Sequence, residues 1–116
     1  MKPISVASAL SVAYLGWRSL GWPLIHDAPL FHYIGWLLAE GAVPYRDVFD
    51  VNMPGVYLLH WALVATVGPG DVVWRLFDLG WLALTSGLLV AYATPLGGRR
   101  AAVAAGLVFA LLHLAG

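Results

Sequence analysis

Long apolar runs alternate with one polar stretch along this chain. Residues 4–22 are mostly apolar, and the main breaks are small polar residues and one terminal arginine. About 20 apolar residues are needed to cross a bilayer as a helix, and this run nearly meets that length. Its small members, Ser5, Ser8, Ser11 and Gly16, let helices approach closely in lipid, and Arg18 can reach back to the interface. Pro23 ends the run. Asp27 then opens a shorter helix over 28–41, with Asp27 as a cap, Pro29 in the first turn and Gly41 as the stop. At about 20 Å this helix is too short to span. Leu30, Ile34, Leu37 and Leu38 share one face, while His32, Trp36 and Glu40 recur at i+4 on another, as in a helix lying in the interface plane. Asn52 caps and Pro54 opens a third helix over 53–67, strongly apolar but again only about 22 Å long. It reads as interfacial or re-entrant. Gly68-Pro69-Gly70 stops it. Asp71 caps a helix running to Pro95, long enough to cross, with Arg75 and Asp78 spaced to pair at i,i+3. Gly97-Gly98-Arg99-Arg100 is a turn, and 101–116 begins another apolar helix.

The pattern predicts an all-α membrane protein with three transmembrane helices (4–22, 71–95 and 101–116) and two interfacial helices in the first extracytoplasmic loop. Composition points the same way. The 116 residues are 61% hydrophobic and 10% charged, with a mean hydropathy of +0.82, against about 45–50% apolar and about 25% charged in soluble domains. Formal net charge is zero and no basic patch exists to bind nucleic acid. The absence of cysteine excludes a disulfide framework and a thiolate metal site. The tryptophans fall near segment ends or on the short helices, where ring and polar tip are both satisfied at a membrane–water interface. A signal peptide is the alternative for the first run. Lys2 fits one, but no A-x-A-like cleavage site follows. If the two short helices do not span, Lys2 and the Arg99/Arg100 pair share a side, which the positive-inside rule makes cytoplasmic.

Candidate chemistry is concentrated in 26–55. This stretch holds Asp27, Glu40, Asp47 and Asp50, four of the six acidic residues, with His26, His32, Arg46 and Asn52. Ionisable groups gathered inside a membrane-type sequence mark the place to look for function. Purely structural roles would be helix capping for Asp27 and an exposed ion pair between Arg46 and Asp47. The histidines carry no ligand spacing and read as interfacial, and His113 has no evident partner.

The same stretch is where the chain becomes familiar. HDAP, a short apolar helix ending in EG, and then PYRDVFDVNMPGVYLL resemble the first extracytoplasmic loop of type-C integral-membrane glycosyltransferases. These include the protein mannosyltransferase and lipid A aminoarabinose transferase relatives, which use polyprenyl-phosphate sugars. The resemblance runs from about Tyr14 onward and implies the N-terminal part of a longer multi-pass enzyme of the plasma membrane and cell envelope. It implies transfer of a sugar from a polyprenyl-phosphate donor to a hydroxyl on a lipid, glycan or protein acceptor. Asp27 matches the acidic residue that acts on the acceptor hydroxyl, as a general base would. Asp50 matches a second acidic position, near the metal or the acceptor. With Asp47 it would hold a divalent cation, Mg²⁺ or Mn²⁺ by its oxygen donors, unless Arg46 stabilises the pair instead. Relatives carry D-x-K-P-P-G where this chain has Asn52 and Met53, so the positive charge for the lipid phosphate is missing there. Arg46, Arg75 or Arg18 would take over that contact. The competing reading is a small non-catalytic membrane protein that associates laterally through the Ser/Gly face of its first helix.

Overall fold

Proline and glycine divide the chain into four helices, with no strand among the described residues. The structure, a computed structural model, describes residues 3–115, with side chains over 6–115. Lys2, on which the charge-based topology leans, and Gly116, the last residue of the third predicted span, lie outside the described residues. Helix α1 covers Pro3–Ser19, α2 Ala28–Ala39, α3 Pro54–Thr66 and α4 Asp71–Ala115. By contacts the chain forms two units, residues 22–75 and residues 3–21 with 76–115.

In the unit of residues 22–75, local chemistry sets both short helices. Pro29 and Pro54 occupy the first turns of α2 and α3, where their missing N–H costs nothing. Gly41, at φ 97°, closes α2 with a Schellman motif: its N–H donates to Leu38 (3.1 Å) and that of Ala42 to Leu37 (2.9 Å). Gly68, at φ 124°, follows α3. The two helices lie side by side. Phe31 meets Tyr57 with ring centroids 6.0 Å apart, and four residues further along both helices Gly35 meets His60 and Trp61. A Cβ on Gly35 would sit 2.7–2.8 Å from atoms of His60 and Trp61, so only glycine allows this approach. Ile34, Tyr57 and Val64 form the buried apolar part of the unit.

In the unit of residues 3–21 with 76–115, α4 is interrupted at Gly98, whose φ 78° and ψ 157° are not helical. Its two arms fold back on each other. Gly106 approaches Val90 and Ser86, and His113 reaches Asp78 at 3.2 Å. Leu82, Ala110 and Leu114 form the core there, with Val12, Leu15 and Leu79 packed against it. The turn predicted at 97–100 is thus present as the break at Gly98. Helix α4 is long and apolar enough to cross a membrane by length and composition. Helix α1 has 17 residues, about 25 Å against a hydrocarbon core of about 30 Å. It stops short of the predicted end at 22 because the chain turns over 20–22, before Pro23.

Three local expectations are corrected. Asp27 makes no side-chain cap. Its backbone is already helical (φ −85°, ψ −11°), which turns the carboxylate away from the first free N–H groups. Asn52 does not cap α3. Met53 holds the N-cap position, and the Asn52 amide donates to Asp50 instead. Arg75 does not pair with Asp78. Its Nη2 donates to the Pro23 carbonyl at 2.6 Å, while Asp78 meets His113.

Candidate functional site

The connection between α2 and α3 is closed by its own side chains. The Asp47 carboxylate accepts from the Val43 N–H at 2.8 Å and from Nε and Nη2 of Arg46 at 2.8 and 2.7 Å. Hydrogen bonding by Arg46 is the main cause of an Asp47 pKa drawn down to about 2. Tyr45 takes a left-handed backbone (φ 62°), its N–H donates to the Val48 carbonyl, and its hydroxyl donates to the Asn52 carbonyl at 2.6 Å.

Asp50 is held from three sides. The Tyr57 hydroxyl donates at 2.7 Å, the Val51 N–H at 2.7 Å and the Asn52 amide at 3.1 Å. Its pKa is lowered, chiefly by the Tyr57 bond and then by Asn52. Tyr57 is buried, and burial together with the Asp50 charge pushes its hydroxyl up to about 12. Asp50 is therefore an oriented anion, and Tyr57 a neutral donor, throughout the physiological range.

Asp27 differs from both. It is exposed, and its carboxylate has no hydrogen-bond partner among the described residues. The residue before it, His26, is left-handed at φ 56°, a strained conformation for a side chain of this size. Asp27 lies just before α2, and Asp50 lies in the loop just before α3.

The sequence-predicted binding residues are largely occupied. Arg46 engages Asp47, the Asn52 amide engages Asp50, and Arg75 engages the Pro23 carbonyl through Nη2 while its buried Nε has no hydrogen-bond partner. Both oxygens of Asp47 and both of Asp50 already accept hydrogen bonds, and a guanidinium stands where a cation would neutralise Asp47. No group of three or more His, Asp or Glu that could hold a divalent ion occurs among the described residues.

Two residues that looked interfacial in the sequence are central here. His32, expected on the face of Trp36 and Glu40, is buried, while those two are exposed. Each i+4 step advances about 40° around a helix, so His32 lies well round from Glu40 and turns toward α3. Its Nδ1 is 3.3 Å from Nδ1 of His60, and its Nε2 is 2.9 Å from the Pro69 carbonyl. A carbonyl only accepts, so Nε2 of His32 carries the proton. His60 is fully buried and stacks on Trp74 with centroids 3.8 Å apart, and its Nε2 has no partner. Burial, and then the neighbouring His32, lowers its pKa to about 4.

No protein-family model, curated protein or solved structure matches this chain.

Proposed function

We propose that this chain is the N-terminal part of a type-C integral-membrane glycosyltransferase that moves a sugar from a polyprenyl phosphate to an acceptor hydroxyl. In this reading α1 and the two arms of α4 cross the plasma membrane. The unit of residues 22–75 lies at its extracytoplasmic face, with α2 and α3 too short to span.

The observation that carries the reading is the contrast between the carboxylates. Asp47 and Asp50 are bound up inside the loop, while Asp27 is exposed and without a hydrogen-bond partner among the described residues. A carboxylate free of internal donors keeps its lone pairs for an incoming hydroxyl. Asp27 takes the proton of the acceptor hydroxyl as that oxygen attacks the anomeric carbon. The bond from the anomeric carbon to the phosphate oxygen breaks, and polyprenyl phosphate leaves. Asp50, fixed by Tyr57 and Asn52, orients the acceptor by accepting a hydrogen bond.

Asp27→Asn in the complete transferase keeps the shape and removes the base. It should lower transfer from a polyprenyl-phosphate sugar by about 10²–10⁴ at unchanged expression. Asp71→Asn, at the start of α4, is the control and should leave transfer near wild type. Wild-type transfer in Asp27→Asn would overturn the assignment.

A further inference from the structure

The loop between α2 and α3 turns its side chains opposite to what a loop in water requires. Phe49, Val51 and Met53 are 88%, 90% and 82% exposed. Asp50 and Asn52, which alternate with them, turn inward. The Asp50 carboxylate accepts from Tyr57, and the Asn52 amide bonds back to Asp50. Alternation of this kind is that of extended chain, where successive side chains point to opposite sides. The apolar row is held rigidly, because the Tyr45 hydroxyl pins the Asn52 carbonyl and Arg46 and Asp47 tie the preceding turn.

We propose that Phe49, Val51 and Met53 form a tip that enters the headgroup–acyl boundary of a lipid bilayer. This rests on the reading of residues 22–75 as lying at the membrane surface. Between Val43 and Met53 both carboxylates are engaged: Asp47 by Arg46 and Val43, and Asp50 by Tyr57, Asn52 and Val51. Moving a carboxylate toward lipid costs less when it is ion-paired or hydrogen-bonded, as Asp47 and Asp50 are. A protein partner would be recognised through a rim of free polar groups around an apolar centre. Here the apolar side chains stand in a single row beside charges that are already engaged. The same unit also exposes Trp22, Trp36 and Trp61, ring types that settle at membrane–water interfaces. Arg46 is the only cation between Ala42 and Met53, and Asp47 neutralises it, so insertion needs no anionic lipid. Insertion would hold Asp50 at the level of lipid phosphates.

The chain has no cysteine, so single probes can be placed at will. Phe49→Cys, Val51→Cys and Met53→Cys, each carrying a nitrobenzoxadiazole label, are reconstituted in phosphatidylcholine nanodiscs at one chain per disc. Helix content is checked by circular dichroism. The three probes should emit at blue-shifted wavelengths. Lipid bearing a doxyl group near the headgroup should quench them at least about twofold more than a Glu40→Cys probe, as insertion to the interfacial depth requires. Adding anionic lipid should leave the result unchanged. Water-like emission without doxyl quenching would overturn the proposal. So would a blue shift without quenching, which would mean that protein and not lipid covers the row. No sugar donor enters the assay, so its outcome is independent of the transferase test.

Discussion

The imidazoles of His32 and His60 meet Nδ1 to Nδ1 at 3.3 Å across the contact between α2 and α3. With its Nε2–H on the Pro69 carbonyl, neutral His32 offers Nδ1 as an acceptor, and His60 donates to it. The proton that His60 would gain on acidification then falls on Nε2, a buried atom with no partner. Because the folded pKa of His60, about 4, lies below its ordinary value of 6.5, the unfolded chain binds more protons between those two pH values. Stability is therefore complete above pH 6.5 and declines as pH falls toward 4. Asp47, lowered to about 2, adds a second loss below its ordinary value of 3.8. Denaturant unfolding followed by tryptophan fluorescence in detergent should show the first decline in the wild type and its absence in His60→Phe. An unchanged pH profile in that variant would remove His60 as the cause.

Gly35 marks where α2 and α3 approach most closely. A Cβ there would stand 2.7–2.8 Å from His60 and Trp61 atoms, so the helices would have to separate. Gly35→Ala should destabilise the protein by about 1–3 kcal/mol, the usual cost of overpacking. Gly80→Ala has open space and a helical position, and should be neutral or stabilising by about 0.5–1 kcal/mol. Thermal unfolding of the two variants side by side checks the contrast.

Tyr57 has two roles, one in packing and one in polarity. Tyr57→Phe keeps the packing against Phe31 and removes a donor from Asp50. The Asp50 pKa should then rise toward the ordinary carboxylate range, which carbon-detected NMR titration of a labelled Asp can follow. Stability should fall as well, since a hydrogen bond to a charged group is lost.

Topology is directly accessible because the chain lacks cysteine. In intact cells, a Glu40→Cys variant should react with an impermeant thiol reagent added outside, and an Arg100→Cys variant should react only after permeabilisation. The reverse pattern would invert the proposed orientation.

The helix boundaries were legible in the sequence because they are set by residues with fixed local behaviour. Pro29, Gly41, Pro54 and Gly68 fall at the ends of α2 and α3, and the predicted 28–41 and 53–67 became Ala28–Ala39 and Pro54–Thr66. The caps were misread because an acidic or amide residue in the right place caps only if its own backbone is extended. Asp27 is helical, and Asn52 stands one residue early. The four carboxylates of residues 26–55 were visible as a cluster, but the division between engaged Asp47 and Asp50 and unengaged Asp27 depends on how the loop folds. The His32–His60 pair was hidden for a different reason. It exists because two helices separated by a long loop pack side by side, which no periodicity within either helix records. The His113–Asp78 contact, between residues 35 apart, was hidden in the same way.

The shortness of α2 and α3 also bears on how the chain is made. A segment leaves the translocon sideways into lipid when it is apolar over about 20 residues. These helices offer 12 and 13. On the membrane reading, everything between α1 and α4 is passed through the channel as one block and reaches lipid only from the far side, after synthesis. The orientation of all later segments therefore hangs on a length. Inserting about eight leucines and alanines into α2 would let it be released as a span. Every downstream segment would then be threaded in the opposite sense, with Arg99 and Arg100 delivered outside the cell.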